Sequence, residues 1–164
     1  MATLISHSPE ETIALGEQWG RHAQAGSVIG LSGELGVGKT QLVKGIARGL
    51  GITMRVLSPT FNLVHQYEGR LRLFHLDLYR LETPSQIIGA GLEEYFYQPP
   101  GVAVIEWAER WFGKVPPIGP APLVGPAPLI GPASLVPSSP AYRRVIIESL
   151  GETKRRITYD DPGA

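Results

Sequence analysis

The spacing of apolar positions changes along this chain, and each change marks a boundary between predicted elements. A continuous apolar run, SVIGLS at residues 27–32, predicts a short buried strand. From Lys39 to Leu50 the apolar positions recur every three or four residues, which predicts a helix that ends before Gly51. A strand, a glycine-rich connection and a helix therefore follow one another in this part of the chain.

A helix with a defined start precedes this unit. Ser8 suits an N-cap, Pro9 suits the first helical position, and Glu11 completes a capping box. Apolar residues share one face of the segment, and Gly26 is its predicted end. His22 lies on that face, where we expect it to pack against a neighbour rather than act in catalysis.

Shorter patterns predict the remaining elements. Strand-like runs at residues 62–67 and 71–76, with a turn between them, indicate a hairpin. A helical region over residues 84–96 is interrupted near two glycines. Residues 101–107 form an apolar strand that ends in an acid and leads into a short helix. Two further strands on either side of residues 150–152 predict a closing antiparallel hairpin.

One stretch differs in kind from the rest. Residues 118–136 contain the hexapeptides GPAPLV, GPAPLI and GPASLV, and no charged residue lies between Lys114 and Arg143. Proline removes backbone donors and excludes a helix, while glycine weakens a strand. The pattern predicts a flexible, partly polyproline II loop inserted at about residues 116–140 of one domain that spans residues 1–164. A docking segment for a proline-recognising partner is the alternative.

Composition narrows the class of protein. The formal net charge of the 164 residues is zero, so no broad basic face suggests direct DNA binding. The absence of cysteine excludes disulfides and thiolate chemistry. The first residues lack the pattern of a secretory signal, and no apolar run approaches membrane-spanning length. We therefore expect a cytoplasmic protein without a membrane association.

The glycine-rich connection contains the first residues that predict a chemical role. Residues 33–40 read GELGVGKT, which fits the phosphate-binding loop pattern. The glycines let successive backbone N–H groups point at an anion, Lys39 adds a positive charge, and the Thr40 hydroxyl can ligate Mg²⁺. A glycine-rich turn without a ligand is the alternative, and the order of strand, loop and helix disfavours it. The chain is predicted to bind a nucleotide.

Two acids follow apolar runs. Glu106 ends the run at residues 102–105, and Asp77 follows the run at residues 73–76. A carboxylate buried beside a strand is costly without a cation, and Mg²⁺ supplies one. Glu106 is our first choice for the metal, while Asp77 is a candidate to assist the metal or to orient the attacking water. A salt bridge to Arg80 or a helix N-cap is the alternative role of Asp77.

Three other side chains are weaker candidates. The Thr60 hydroxyl is placed to report on the γ-phosphate and Mg²⁺, as switch loops do, or else to cap a turn together with Ser58. Trp107 either packs over the site or fills the core. His75 is expected to be a packed histidine rather than a base.

Several segments together resemble one protein family. GELGVGKTQLVKGIARGLGI, SPTFNLVHQYEGR, HLDLYRL, GLEEYF and VIEWAER occur in the order typical of TsaE proteins, the P-loop ATPases of bacterial tRNA threonylcarbamoyladenosine biosynthesis. The resemblance covers residues 8–110 and the final hairpin. It implies an α/β, P-loop NTPase-like three-layer fold, in which a central, mostly parallel sheet carries antiparallel flanking strands.

The resemblance also implies the site residues. Mg²⁺–ATP would bind at Glu34, Leu35, Gly36, Val37, Gly38, Lys39, Thr40 and Gln41, with Thr40 and Glu106 on the metal. The predicted catalytic residues are Lys39, Thr60, Asp77 and Glu106, and Trp107 also matches a position tied to activity or nucleotide sensing. The family often has threonine at Gln41, and the repeat lengthens a connection that is usually short. Arg155 and Arg156 in the final hairpin are candidates to approach the nucleotide, but neither is a predicted site residue.

The implied role is that of an accessory subunit. TsaE proteins work with the TsaD–TsaB pair, which transfers threonylcarbamoyl to an adenosine beside the tRNA anticodon. The neutral charge of this chain suggests that tRNA is engaged mainly by those partners. A small-molecule kinase is one alternative, although the insertion has no arginine with which to form a lid. A binding module that uses ATP without hydrolysing it is the other.

Overall fold

A computed structural model describes residues 2–34, 36–97, 99–112 and 142–160. The strands are β1 (Ala2–Ser6), β2 (Val28–Ser32), β3 (Val64–Tyr67), β4 (Leu73–Asp77), β5 (Val102–Glu106), β6 (Tyr142–Ser149) and β7 (Arg155–Tyr159). The helices are α1 (Pro9–His22), α2 (Lys39–Gly49), α3 (Pro84–Gly89) and α4 (Glu109–Phe112), with a 3₁₀ turn at Glu93–Tyr95. The predicted insertion at about residues 116–140 lies outside the described residues, so it and the single domain stay predictions. Within the described ranges, no helix combines the length and apolar character needed to cross a membrane.

The seven strands form one sheet in the order β1-β7-β6-β2-β5-β4-β3. The four central strands β6, β2, β5 and β4 pair in parallel, while the pairs at both edges are antiparallel. All residues of β4 and β5 are buried, as expected for parallel strands covered on both faces. The predicted α/β fold, with a mostly parallel centre and antiparallel flanking strands, is confirmed.

Helices cover both faces of the sheet. Side chains alternate along a strand, so Ile29 and Leu31 of β2 face α1 and α2, whereas Val28 faces the opposite layer. That second layer holds α3, the 3₁₀ turn and α4, with Phe96 and Trp111 in its centre. The two apolar clusters sandwich the sheet and complete the predicted three-layer arrangement.

Helices α1 and α2 approach closely because glycines line their contact. A β-carbon added at Gly45 of α2 would lie 2.1 Å from the Ile13 carbonyl oxygen. One added at Gly20 of α1 would lie 2.2 Å from the Ile46 carbonyl oxygen. This backbone contact fixes α2 against α1. It thereby also fixes the N-terminus of α2, which follows the loop after β2.

The end of α1 differs from the prediction. The helix ends at His22, four residues before Gly26, because Ala23 adopts an extended conformation with φ −65° and ψ 144°. The Arg70 guanidinium donates to the Gly20 carbonyl at 2.8 Å and to the Ala23 carbonyl at 3.0 Å, and so binds the carbonyls at this end. The expectation that His22 packs against a neighbour is wrong, since it is exposed.

The first residues form an element that no sequence pattern predicted. Strand β1 pairs antiparallel with β7 at the edge of the sheet, with Leu4 opposite Ile157. Only Ser6 in β1 is fully buried, so the apolar signal of this strand is weak. The predicted cap that follows is confirmed, since the Ser8 hydroxyl accepts a hydrogen bond from the Glu11 N–H at 3.1 Å.

The glycine contact gives a stability prediction. Gly45→Ala should lower the free energy of unfolding by roughly 3 kcal/mol, because the added methyl group meets backbone that cannot move aside easily. Urea unfolding followed by circular dichroism measures this change. Gly89→Ala is the matched control: a β-carbon there meets nothing within 4 Å, and stability should rise by up to about 1 kcal/mol. Equal effects of the two substitutions would contradict the close approach.

Candidate functional site

A cleft of about 280 Å³ lies where β2, β4 and β5 end. Ligand sites of open parallel sheets usually lie at this carboxyl edge. The cleft combines glycine backbone, one ammonium group, two carboxylates, hydroxyl groups and two aromatic rings. Its lining residues are Gly36, Gly38, Lys39, Thr40, Gln41, Ser58, Thr60, Asp77, Tyr79, Glu106 and Trp107.

The wall that follows β2 is built for an anion. Gly36 and Gly38 have φ angles of 75° and 110°, which residues with a β-carbon rarely adopt. Gly38 is the N-cap of the 11-residue helix α2, and no side chain caps the amides of its first turn. The positive end of the helix dipole is therefore directed at the cleft.

Lys39 places a buried cation in this wall. Its ammonium group donates to the carbonyl oxygens of Gly33 at 2.7 Å and Glu34 at 2.8 Å. The Nζ atom also lies 4.3 Å from the ring centroid of Trp107. Burial lowers the pKa of Lys39 below its ordinary value, and the negative charges of Glu106 and other nearby acids partly offset this effect.

A hydrogen-bonded chain joins the start of α2 to the end of β5. The Thr40 hydroxyl donates to Glu106 Oε1 at 3.2 Å, and His75 Nε2 lies 2.6 Å from Glu106 Oε2. An ionised carboxylate only accepts, so His75 must carry its proton on Nε2. His75 is a packed histidine, as expected, but it also fixes the orientation of Glu106 from below the cleft.

Asp77 joins the end of β4 to the loop that follows α2. Its Oδ2 atom accepts from the Thr60 hydroxyl at 3.0 Å, and Ser58 lies at 3.5 Å from the same atom. Its Oδ1 atom accepts from the Tyr79 N–H at 2.9 Å. The alternative salt bridge does not form, because the Arg80 guanidinium stacks 4.1 Å from the Phe61 ring centroid.

Trp107 reaches the cleft through an unusual backbone conformation. Successive side chains of a strand point to opposite faces, so a residue after Glu106 would normally turn away from it. Trp107 instead has a φ angle of 59°, and both side chains line the cleft. Its ring packs against Tyr79 with centroids 5.0 Å apart. A non-glycine residue in this conformation costs on the order of 1–3 kcal/mol, and such strain is concentrated at functional sites.

The structure brings most of the predicted residues together. Five of the eight predicted nucleotide-binding residues line the cleft: Gly36, Gly38, Lys39, Thr40 and Gln41. The four predicted catalytic residues do so as well: Lys39, Thr60, Asp77 and Glu106. Glu34 contributes its carbonyl to Lys39, Val37 is buried behind the loop, and Leu35 lies outside the described residues. The roles of these residues in binding and catalysis stay predictions.

Sequence reasoning missed Tyr79, and it named Arg155 without predicting it as a site residue. Tyr79 lines the cleft two residues beyond Asp77, and the aromatic residue after a strand-ending acid was the available signal. Arg155 donates to the Val37 carbonyl at 2.7 Å although 118 residues separate them, so no local signal could identify this contact. Arg156 instead pairs with Glu148 on the exposed side of the hairpin.

The oxygen donors of the cleft suit Mg²⁺. Thr40 and Glu106 present a hydroxyl and a carboxylate, which are hard ligands of the kind that Mg²⁺ prefers. The described residues contain no group of three His, Cys, Asp or Glu side chains that could hold a metal. Mg²⁺ commonly completes its coordination with water and phosphate oxygens, so the two ligands fit a metal that binds together with a phosphate compound.

Comparisons with known proteins point in one direction. The family described as "Threonylcarbamoyl adenosine biosynthesis protein TsaE" matches residues 6–121. Two proteins named "tRNA threonylcarbamoyladenosine biosynthesis protein TsaE" are similar to this chain. The one from a Nostoc species is 47% identical over 114 residues, which cover 67% of this chain and 70% of that protein. The one from Treponema pallidum is 45% identical over 112 residues, which cover 68% and 82%.

One solved structure is similar to almost the whole of this chain. The crystal structure of YdiB from Bacillus subtilis superposes with a TM-score of 0.68 at 31% sequence identity. The match covers 99% of this chain and 86% of that protein. The similarity therefore extends beyond the residues that the family matches, to the final hairpin.

The electrostatics of the cleft give a prediction about Lys39. Glu106→Gln should lower the pKa of Lys39 further, because the Glu106 carboxylate makes the largest electrostatic contribution that favours the ammonium form. A carbon NMR titration of the Lys39 ε-methylene group measures this pKa. Glu82→Gln, at an exposed acid outside the cleft, is the control and should leave the titration unchanged. A Lys39 pKa that rises in the Glu106 variant would contradict the arrangement.

Proposed function

The chain belongs to the TsaE family, and we propose that it is a Mg²⁺-dependent ATP-binding and ATP-hydrolysing accessory subunit for threonylcarbamoyladenosine formation in tRNA. It would act in the cytoplasm with homologues of the TsaD–TsaB pair and contact tRNA mainly through them. The observation that carries the proposal is one cleft that holds the glycine loop, Lys39, Thr40, Glu106, Asp77 and Thr60. Family membership supports a role in threonylcarbamoyladenosine formation, and the residues of the cleft support the binding of a nucleotide.

The glycine loop and Lys39 would bind the polyphosphate. The amides at the start of α2 and the Lys39 ammonium group are donors that oxygen anions require. The buried position of Lys39 strengthens its attraction to an anion, because surrounding water screens the charge less. The indole ring of Trp107 lies 4.3 Å from the ammonium group, so a cation–π contact adds to the hydrogen bonds that hold it.

Thr40 and Glu106 would hold the metal, and His75 would keep Glu106 in place. Mg²⁺ bound with ATP neutralises phosphate charge and so favours attack on the terminal phosphoryl group. Asp77 and Glu106 give the cleft two negative charges against the single charge of Lys39. A polyphosphate alone would be repelled by these acids, which supports a requirement for Mg²⁺.

Asp77 and Thr60 would act at the terminal phosphate. Asp77 keeps an acceptor for a water molecule, since a carboxylate has about four lone-pair sites. Thr60 lies on the loop after α2, so its hydroxyl links the position of that loop to Asp77. This arrangement supports a role in orienting the attacking water and in sensing the γ-phosphate.

Two substitutions separate binding from hydrolysis. Lys39→Ala should weaken Mg²⁺–ATP binding by about 10- to 100-fold, the loss expected for a charged hydrogen bond. Asp77→Ala should lower the turnover number by about 100-fold or more with ATP affinity nearly unchanged, because orienting water matters after binding. Isothermal titration calorimetry and phosphate release measure the two quantities, with Glu82→Ala as the control.

Each result tests a separate part of the proposal. Undiminished ATP binding by the Lys39 variant would contradict the nucleotide site. Unchanged turnover of the Asp77 variant would remove the catalytic role of that residue. A chain that binds ATP but releases no phosphate, even with its partners, would be a nucleotide-dependent binding module instead.

The partner complex gives a further prediction. Association with purified TsaD and TsaB homologues should require ATP, and the complex should raise phosphate release at least about tenfold over the isolated chain. Co-purification with and without ATP, followed by a phosphate assay, measures both effects, and Lys39→Ala is the control. Rapid hydrolysis without the partners would contradict an accessory role. A phosphorylated small metabolite in place of free phosphate would indicate a kinase.

A further inference from the structure

The final hairpin, formed by β6 and β7, contacts the phosphate loop, the glycine-rich segment at residues 33–40. Arg155, the first residue of β7, donates from Nε to the Val37 carbonyl oxygen at 2.7 Å. Its Nη1 atom donates to two carbonyl oxygens of the β6–β7 turn, at 2.6 Å for Gly151 and 2.9 Å for Lys154, and its Nη2 atom donates to the Glu152 carbonyl at 3.3 Å. One guanidinium group therefore joins the phosphate loop to a turn at the far end of the sequence.

The orientation of the Val37 carbonyl determines where the next amide points. In a planar trans peptide, the C=O bond and the following N–H bond point in opposite directions. Because Arg155 binds the Val37 oxygen, the Gly38 N–H points away from Arg155. Gly38 lines the cleft, so this amide is directed at the region where phosphate would bind.

The bonds from Lys39 to Gly33 and Glu34 hold the start of the loop, and the buried Val37 side chain anchors its middle, but the glycines on either side of Val37 leave its carbonyl orientation to be set by a bond. Glycine has a wide choice of backbone conformations, and a β-carbon added at Gly36 or Gly38 would meet nothing within 4 Å. The start of the loop is held by the same hairpin, since a β-carbon at Gly33 would lie 2.6 Å from the Ile147 carbonyl oxygen. The hairpin thus contacts the loop at its start and again at Val37.

Position, rather than charge, distinguishes Arg155 from its neighbour. Arg156 follows it in β7, but its side chain lies 3.5 Å from Glu148 on the exposed side. Both residues carry one positive charge, and only Arg155 contacts the loop. The chain therefore contains its own control for an effect of charge alone.

We propose that Arg155 is a positioning residue for the phosphate loop, which holds the Val37 carbonyl so that the Gly38 amide is presented to phosphate. The proposal rests on the proposed nucleotide site and adds a residue that the family motifs do not include. Lysine cannot replace arginine here, because one ammonium group cannot reproduce the fork that bonds to the loop and the turn together.

The experiment compares Arg155→Lys and Arg155→Gln with Arg156→Lys and Arg156→Gln. Calorimetry measures the dissociation constants of ATP and of inorganic tripolyphosphate, both with Mg²⁺. Both Arg155 variants should weaken both ligands by a similar factor of about 5- to 10-fold, since the loss is in the phosphate loop. The KM for ATP should rise by the same factor with little change in kcat. The Arg156 variants should bind both ligands as the unmodified chain does.

The outcomes are distinct. Arg155→Lys binding as tightly as the unmodified chain would overturn the inference, because charge alone would then suffice. A loss for ATP without a loss for tripolyphosphate would also overturn it, because Arg155 would then serve the nucleoside. An unmodified chain that binds no ATP would instead refute the proposed function. If Arg155→Gln does not fold, the charge-conserving lysine variant decides the matter, and a thermal unfolding curve verifies that it is folded.

Discussion

The parallel pairing of β2, β5 and β4 is the constraint on which the candidate site depends. In this register Leu31 lies opposite Glu106, and Glu106 lies opposite Asp77, so the three strands end at one level of the sheet. The loop after β2 and the two acids consequently meet at a single edge. A shift of β5 by one residue would turn Glu106 to the other face, away from Thr40. The strand register therefore determines where the candidate site lies, and the side chains then determine its chemistry.

Features encoded by neighbouring residues could be predicted from the sequence. The phosphate loop, the N-cap at Ser8 and the acids after two apolar runs each depend on a few adjacent positions. The sheet layout came from the family resemblance, while the positions of most elements came from periodicity. The strength of the signal also mattered, because the buried strands β2 and β5 have continuous apolar runs, whereas the exposed edge strand β1 has none.

Features that depend on contacts across the chain could not be predicted. The end of α1 is set by Arg70, which reaches it from the turn between β3 and β4, about 50 residues away in sequence. The contact of Arg155 with Val37 spans an even longer separation. Trp107 enters the cleft only because its backbone adopts a positive φ angle, which no pattern of apolar residues encodes. In each case a tertiary contact or a strained conformation overrides local preference.

The charge balance of the cleft bears on how nucleotide and metal would bind there. Lys39 lies close to Glu106 and Asp77, and their charges offset part of the effect of burial on its pKa. Under the proposed function, a polyphosphate would bring more negative charge to the same place, where Lys39 would attract it and the two acids would repel it. A divalent cation held by Glu106, as the proposed function requires, would convert that opposition into attraction. Nucleotide and metal are therefore expected to bind interdependently, and a site with only one of the two acids would need the metal less.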